Sequence, residues 1–177
     1  MSLALSLLAG ASAQGSWCAA VGLPALGLAA AAELGVSLDR FPMVASPAQG
    51  SGPGGWTWVV AALIDAFDVV LAGPPPGLRA ADARRLTARV REREAVLVAS
   101  GGGAWPEPAE VRLALTSAAW DGLGRGHGRL RGRRVEVVAG GRGAAARERR
   151  AQLWLPHPDG GVRKVVDERP YTRRVVS

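Results

Sequence analysis

The stretch from Phe67 to Pro75, which reads Phe-Asp-Val-Val-Leu-Ala-Gly-Pro-Pro, constrains the fold more than any other part of the chain. An apolar run follows Asp68 and ends at a Gly-Pro turn, which is the pattern of a short strand buried on both faces. Such strands belong mostly to parallel sheets, because helices cover both faces of these sheets. The stretch therefore predicts a parallel sheet enclosed by helices.

Helical and strand patterns alternate around this stretch. Helices are predicted over 2–13, 25–34, 56–66 and 78–92, and strands over 17–21, 41–45, 68–72 and 95–99. In the helix 78–92, Leu78, Ala81, Leu86 and Val90 are predicted to face inward. Later segments alternate apolar and polar residues over 111–119 and 130–139, and a short strand follows over 151–155. This change of period indicates antiparallel strands that extend the sheet.

The order of elements predicts the fold class and the domain limits. We expect a three-layer α/β domain over residues 1–158, with a parallel central sheet and antiparallel strands added at its C-terminal side. Residues 159–177 have no helical period and are predicted to be a tail, either an edge strand or a disordered arm. The chain has 177 residues, which is enough for one domain with its own core.

The net charge of +7 is unevenly distributed along the chain. Residues 1–120 carry a net charge of −1, and residues 121–177 carry a net charge of +8. A surface that binds an acidic partner is therefore expected in the last third. The two histidines, His127 and His157, do not lie in a cluster with metal-ligand spacing, and neither a metal nor another cofactor is predicted.

The N-terminus and the single cysteine bear on localisation. Ala11-Ser12-Ala13 has the pattern of a signal cleavage site, but no basic residue precedes Arg40, so a secretory signal is not favoured. Gly, Pro, Ser and Gln interrupt the apolar stretches, so no membrane span is predicted. Cys18 lies in an apolar run, and a lone buried thiol suits a reducing compartment. We therefore expect a cytoplasmic protein.

An arginine set in the last third is the main candidate for binding. Its members are Arg125, Arg129, Arg131, Arg133, Arg134, Arg147, Arg149 and Arg150. Glycines interleave with the first of them, and a loop rich in Gly and Arg can follow a phosphate backbone. Trp120 and Trp154 flank this region, and tryptophan can stack on bases or anchor an interface. DNA binding, a protein-partner surface and a simply solvated loop all remain open.

The predicted tail contains a second candidate for binding. Its apolar and aromatic residues are Val165, Val166, Tyr171, Val175 and Val176. Such residues can add a strand to the sheet of a partner protein or insert into a groove. A frayed terminus is the other interpretation.

Four stretches of this alternation resemble the core domain of the RecA family of recombinases. They are the helix 2–15, the strand 17–21, the segment 33–41 (Glu-Leu-Gly-Val-Ser-Leu-Asp-Arg-Phe) and the helix and strand 61–71. Together they cover roughly residues 2–100, and beyond that the likeness lies in the pattern only. The resemblance implies a RecA-like scaffold.

The chain departs from this family wherever the family performs phosphate chemistry. A phosphate loop requires Gly-x-x-x-x-Gly-Lys-Ser/Thr, and Lys164, the only lysine, lies far from any such pattern. The strand ends at which the family has carboxylates read Gly22-Leu23-Pro24 and Gly73-Pro74 here. Because three parts of phosphoryl-transfer chemistry are missing together, ATP hydrolysis is not expected.

Short RecA-like proteins without ATPase motifs include the ImuA and ImuA-prime proteins of bacterial mutagenic repair cassettes. Residues 140–158, with the run Leu-Trp-Leu-Pro, resemble that group, and the richness in Arg, Ala and Leu suits an actinobacterial source. The resemblance implies a non-catalytic accessory factor for translesion synthesis after DNA damage. Its implied partners are an ImuB-like Y-family polymerase homologue, an error-prone replicative-type polymerase, RecA and DNA.

Two alternatives use the same scaffold. One is an ATP-dependent RecA-type recombinase or regulator whose phosphate loop lies upstream of a truncated start. The other is a RecA-like inhibitor of cell division, which would bind a division protein and not a polymerase.

Overall fold

The computed structural model describes residues 1–45, 52, 55–101, 104–123 and 128–166. These residues form an α/β protein with two four-stranded sheets, one parallel and one antiparallel. The helices are α1 (Ser2–Ala13), α2 (Leu28–Glu33), α3 (Trp56–Ala66) and α4 (Ala80–Glu92). The parallel strands are β1 (Cys18–Val21), β2 (Met43–Val44), β3 (Val69–Ala72) and β4 (Val96–Ala99). The antiparallel strands are β5 (Val111–Leu123), β6 (Gly128–Gly141), β7 (Arg149–Trp154) and β8 (Arg163–Lys164).

The parallel sheet confirms the prediction made from Phe67–Pro75. Its strand order is β2-β1-β3-β4, and every residue of the two central strands is buried. Because side chains of a strand alternate between the faces of a sheet, Leu71 and Val70 point in opposite directions. Leu71 joins the buried cluster of α1 and α2, and Val70 joins that of α3 and α4.

Helices α1 and α3 have the predicted bounds, and α4 begins two residues later than predicted, whereas α2, predicted over 25–34, spans only Leu28–Glu33. Helix α1 buries Leu5 and Leu8 and ends before Gly15, whose φ of +94° suits glycine. The buried Ser12 accepts a hydrogen bond through Oγ from the Ser37 N–H at 2.8 Å, which joins α1 to the chain after α2. In α4 one expectation was wrong. Ala81 is exposed, and Ala83 packs inward in its place beside Leu86.

The sequence predicted that the antiparallel strands extend the parallel sheet, and this prediction was wrong. These strands form a sheet of their own in the order β5-β6-β7-β8. After β4 the chain crosses helix α4, where Glu107 pairs with Arg84 at 2.6 Å and Glu110 pairs with Arg91 at 2.9 Å. Val135 of β6 packs into the same apolar cluster as residues of α1 and of the parallel sheet. The antiparallel sheet is therefore joined to these elements by side-chain packing.

The predicted tail begins inside the antiparallel sheet. Strand β8 pairs with β7, and the Val165 N–H donates a hydrogen bond to the Gln152 carbonyl at 2.9 Å. The edge-strand interpretation therefore holds as far as residue 165, and residues 167–177 lie outside the described residues. In the described part of the chain, no helix has the length and apolar character needed to cross a membrane.

Candidate nucleic-acid and partner interface

The carboxyl ends of β1 and β3 occupy the place where open α/β sheets usually bind ligands. Here the two strand ends contact each other through glycine. A Cβ at Gly73 would lie 2.4 Å from the carbonyl oxygen of Gly22 and 2.8 Å from Cδ2 of Leu23. No side chain, and so no carboxylate, fits at Gly73 without displacing this backbone.

Trp56, the first residue of α3, fills the space beside this glycine contact. It is only 2% exposed, and a Cβ built on Gly22 would lie 3.4 Å from its Nε1. Among the described residues, Nε1 has no hydrogen-bond partner. An indole therefore occupies the region next to the strand ends, where a nucleotide-binding protein of this class would present polar groups.

A small cavity of about 140 Å³ lies nearby, between the start of α3 and the start of α4, with Thr57, Pro75 and Asp82 in its lining. Pockets for drug-sized ligands usually measure about 300–1,000 Å³. Asp82 is buried, and its Oδ1 lies 3.6 Å from Nη1 of Arg85. The small volume and the buried carboxylate both disfavour a triphosphate.

The arginine set lies mainly on strands. Arg131, Arg133 and Arg134 fall in the strand predicted over 130–139, whereas the strand positions of Arg129, Arg149 and Arg150 correct the prediction of a glycine-rich loop. Arg129, Arg131, Arg133 and Arg134 belong to β6, Arg149 and Arg150 begin β7, and Arg147 lies in the turn before it. Arg125 lies outside the described residues. The interleaved glycines suggested a loop because glycine is depleted in strands, but the antiparallel pairing with β5 and β7 overrides that preference.

Two arginines of β6 stack on tryptophans of the neighbouring strands. The guanidinium carbon of Arg133 lies 5.3 Å from the ring centroid of Trp120, and that of Arg134 lies 5.4 Å from the ring centroid of Trp154. Both distances suit cation–π attraction. Arg133 and Arg134 are consecutive residues of a strand, so the two pairs lie on opposite faces of the sheet.

Only part of the arginine set is available for a new partner. Arg150 pairs with Glu148 at 2.8 Å, and Nε of Arg133 donates a hydrogen bond to the Leu155 carbonyl at 3.0 Å. The other described members are exposed and make no ion pair within the described residues. These members are Arg129, Arg131, Arg134, Arg147 and Arg149.

The second candidate, the tail, is described only in part. Val165 is half-buried, whereas Val166 is 77% exposed. Tyr171, Val175 and Val176 lie outside the described residues. The structure therefore brings Val165 and Val166 to the β8 edge of the antiparallel sheet.

The antiparallel sheet carries an open groove that was not predicted from the sequence. It has a volume of about 390 Å³, and Arg112, Arg142 and Glu148 are among its lining residues. Arg112 was overlooked because it precedes the basic last third of the chain. Only the pairing of Arg112 with Gly140 shows that it reaches the basic surface.

Of the other reactive side chains, Cys18 lies in the parallel sheet, whereas His157 lies beside the basic surface with its ring centroid 5.9 Å from that of Trp154. Cys18 is fully buried, and burial is the main reason why the pKa of its thiol is raised. Nδ1 of His157 accepts a hydrogen bond from the Asp159 N–H at 3.1 Å. In the described ranges, no group of three or more His, Cys, Asp or Glu side chains could hold a metal ion.

Comparison with known proteins places the chain in a family. A family model described as the MT3502 N-terminal domain matches residues 1–107, which is more than half of the 177 residues. The chain belongs to the MT3502 N-terminal domain family. The matched residues contain α1 to α4 and the whole parallel sheet, whereas the arginine set follows them.

One relative extends this likeness beyond the family domain. The chain is 35% identical over 150 residues to "Uncharacterized protein Rv3395c" of Mycobacterium tuberculosis, which is 80% of this chain and 70% of the relative. Because this alignment is longer than the 107 residues of the family match, it includes part of the chain outside that match.

Proposed function

We propose that this chain is a non-catalytic accessory protein of DNA-damage-induced mutagenic translesion synthesis, of the ImuA or ImuA-prime type. It acts in the cytoplasm on a degenerate RecA-like three-layer scaffold. Its main partner is an ImuB-like Y-family polymerase homologue. An error-prone replicative-type polymerase, RecA and DNA are further partners.

The contact between Gly22 and Gly73 carries this proposal. A RecA-like ATPase needs phosphate-binding and magnesium-binding groups around the carboxyl ends of its strands. Here the two strand ends meet backbone to backbone, and a Cβ at Gly73 would lie 2.4 Å from the Gly22 oxygen. Lys164, the only lysine, lies on β8 of the other sheet. This arrangement supports a scaffold that works through its surfaces.

The basic antiparallel sheet supports the binding part of the proposal. Strand β6 presents Arg134 beside Trp154. Arg129, Arg131 and Arg149 on β6 and β7 are exposed as well. Arginine neutralises phosphate, and tryptophan stacks on bases or anchors protein interfaces. Partner binding by this sheet and by the tail that follows it is therefore the expected mode of action.

Binding to the polymerase homologue is the decisive test. The full chain and a chain ending at residue 166 are titrated by calorimetry into a purified ImuB-like homologue from the same organism. We expect the full chain to bind and the shortened chain to lose binding, because the removed residues 167–177 supply the apolar contacts. In cells, deletion of the gene should abolish damage-induced mutation. Absence of binding together with unchanged mutation frequency would refute the proposal.

Nucleotide binding separates the proposal from the recombinase alternative. Equilibrium dialysis of the product of the full reading frame against labelled ATP and Mg²⁺ should show no saturable binding, because Gly22 and Gly73 close the strand ends. Saturable binding would favour the ATP-dependent recombinase or regulator.

The DNA-binding part has its own measurement. A labelled single-stranded oligonucleotide is titrated by fluorescence anisotropy at several salt concentrations with the triple variant Arg129→Ala, Arg131→Ala, Arg149→Ala. The salt slope should fall by about 0.7 for each arginine that no longer meets a phosphate. The double variant Arg84→Ala, Arg91→Ala is the control, because these two arginines lie on α4 and not on the antiparallel sheet, and already pair with Glu107 and Glu110. Equal slopes for the unmodified protein and both variants would exclude this surface as the DNA site.

A further inference from the structure

Strand β5 is the long free edge of the antiparallel sheet. It has 13 residues, whereas the other three edge strands, β2, β8 and β4, have two, two and four. Among the described residues, β5 pairs with β6 alone. Long edges that lack charges pair readily with a further strand, and proteins usually shorten or charge them to prevent this.

The composition of β5 leaves this edge unprotected. The eight residues from Leu113 to Trp120 carry no charge, and all of them except Leu113 are exposed. Leu115 is 42% exposed and Trp120 is 49% exposed. The only charged residues of the strand are Arg112 near one end and Asp121 near the other.

These two charges lie on the same face of the sheet. Arg112 pairs with Gly140 and Asp121 pairs with Gly132, and the register along β6 between them is continuous. Residues an even number of positions apart point to the same face. Because both partners are glycines, Arg112 and Asp121 lack a cross-strand side chain within their own sheet. Neither makes an ion pair in the described part of the chain.

The arrangement of β5 is self-complementary. We propose that a second copy of this chain pairs with the free edge of β5, antiparallel and about a twofold axis between Thr116 and Ser117. In this register Arg112 of each copy lies opposite Asp121 of the other copy, and opposite charges attract across a strand pair. The two four-stranded sheets then form one continuous sheet, and both copies contribute the same surface to the interface.

The apolar residues fit the same register. Leu113 pairs with Ala139 and Trp120 pairs with Arg133, so both lie on the face of β6 that carries the buried Val135 and Val137. In the twofold pair, Leu113 of one copy lies opposite Trp120 of the other. The register irregularity between Leu115 and Ser117 lies at the twofold axis. In the pairs on either side of it, the two opposing residues therefore point to the same face of the sheet.

Charge reversal tests the register directly. Sedimentation equilibrium of the full chain at roughly 1–100 µM should show a monomer–dimer equilibrium. Arg112→Asp alone and Asp121→Arg alone should each weaken dimerisation about tenfold, because two symmetry-related attractive pairs become repulsive. The double variant Arg112→Asp, Asp121→Arg should restore it, since the pairs are re-formed with exchanged signs. Lys164→Asp, which makes the same charge change on the opposite edge strand β8, is the control and should leave dimerisation unchanged.

A second readout keeps the test independent of variant folding. Hydrogen exchange of β5 amides in the unmodified protein should slow as concentration rises, while exchange in β8 stays constant. Three results would overturn the proposal: a monomer at every concentration, a dimer that both single reversals leave intact, or weakening by both single reversals that the double variant does not repair. The last result would indicate that a different protein or surface uses these charges.

Discussion

Gly73 lies so close to the backbone of Gly22 that no side chain fits at residue 73. The size of the residue is decisive here, because a Cβ atom at residue 73 would lie 2.4 Å from the Gly22 carbonyl oxygen. Open α/β sheets that bind ligands usually do so at this edge of the sheet. The close contact between the two strand ends therefore predicts that residue 73 must be glycine, and substitution of this residue tests the prediction.

Gly73→Ala should destabilise the protein by about 2 kcal/mol or more, because the added methyl group displaces buried backbone. Urea unfolding followed by far-UV circular dichroism measures the change. Gly10→Ala is the control, since no described atom outside its own helix backbone lies within 4 Å of a Cβ at this exposed position of α1. It should stabilise the protein by about 0.5–1 kcal/mol. Equal effects of the two variants would contradict the close approach of the strands.

Cys18 should behave as a protected thiol. Burial first, and then the nearby Asp68 carboxylate, raise the pKa of this thiol above its ordinary value. In native protein at pH 8 a disulfide reagent should react slowly with Cys18, and in denaturant it should react at once with this single thiol. The stability contributed by the protonated thiol is complete below the ordinary pKa and is lost as pH rises through the raised folded pKa. Fast reaction in the native state would show that the strand is accessible.

At the scale of elements, one carboxylate joins α3 to α4. Asp65 on α3 accepts hydrogen bonds from Arg89 of α4 and from Arg93 just after it. The hydrogen bond from Arg89, together with that from Arg93, lowers the pKa of the Asp65 carboxyl. These partners lie 24 and 28 positions from Asp65 in the chain, so only the packing of the two helices brings them together.

Asp65→Asn should lower the melting temperature by roughly 2–4 °C at pH 7, as expected for a partly exposed ion pair. A carboxyl with a lowered folded pKa stabilises the fold above its unfolded pKa, and this contribution is lost as pH falls through the folded pKa. The difference between variant and unmodified protein should therefore shrink below about pH 4. Asp39→Asn, at an exposed position, should change little at either pH. A difference that is independent of pH would contradict the ion pair.

At the scale of the whole molecule, the two sheets share one core. Leu155, which follows β7, is fully buried in the cluster that also contains Leu5 and Leu8 of α1. The antiparallel sheet therefore contributes to the same apolar cluster as the parallel sheet. Such shared packing predicts that both sheets unfold in one cooperative transition.

Leu155→Ala should cost about 2–5 kcal/mol, because it removes buried methyl groups and leaves a cavity. Tryptophan fluorescence and far-UV circular dichroism should give the same shifted midpoint. Leu130→Ala is the matched control: Leu130 is 51% exposed on β6, and its replacement should change stability by no more than about 0.5 kcal/mol. Two separate transitions, with only one affected by Leu155→Ala, would show that the sheets fold independently.

Local patterns in the sequence were enough to predict the elements of the parallel sheet. The apolar run after Asp68 and the helical spacing in residues 56–66 predicted β3 and α3 to within a residue, because both patterns are local and glycine or proline bounds them. Gly22 and Gly73 likewise showed from the sequence that carboxylates are missing at the strand ends.

Which strands share a sheet, and which charges meet, depended on the tertiary structure. A period of two identifies the face of a strand but not its neighbour, so β5 to β7 were recognised as strands and assigned to the wrong sheet. For the same reason the predicted strands left the partners of their arginines open, whereas antiparallel pairing sets Arg134 against Trp154 and Arg112 opposite a glycine. These contacts depend on pairing between residues far apart in the chain, which local patterns do not encode.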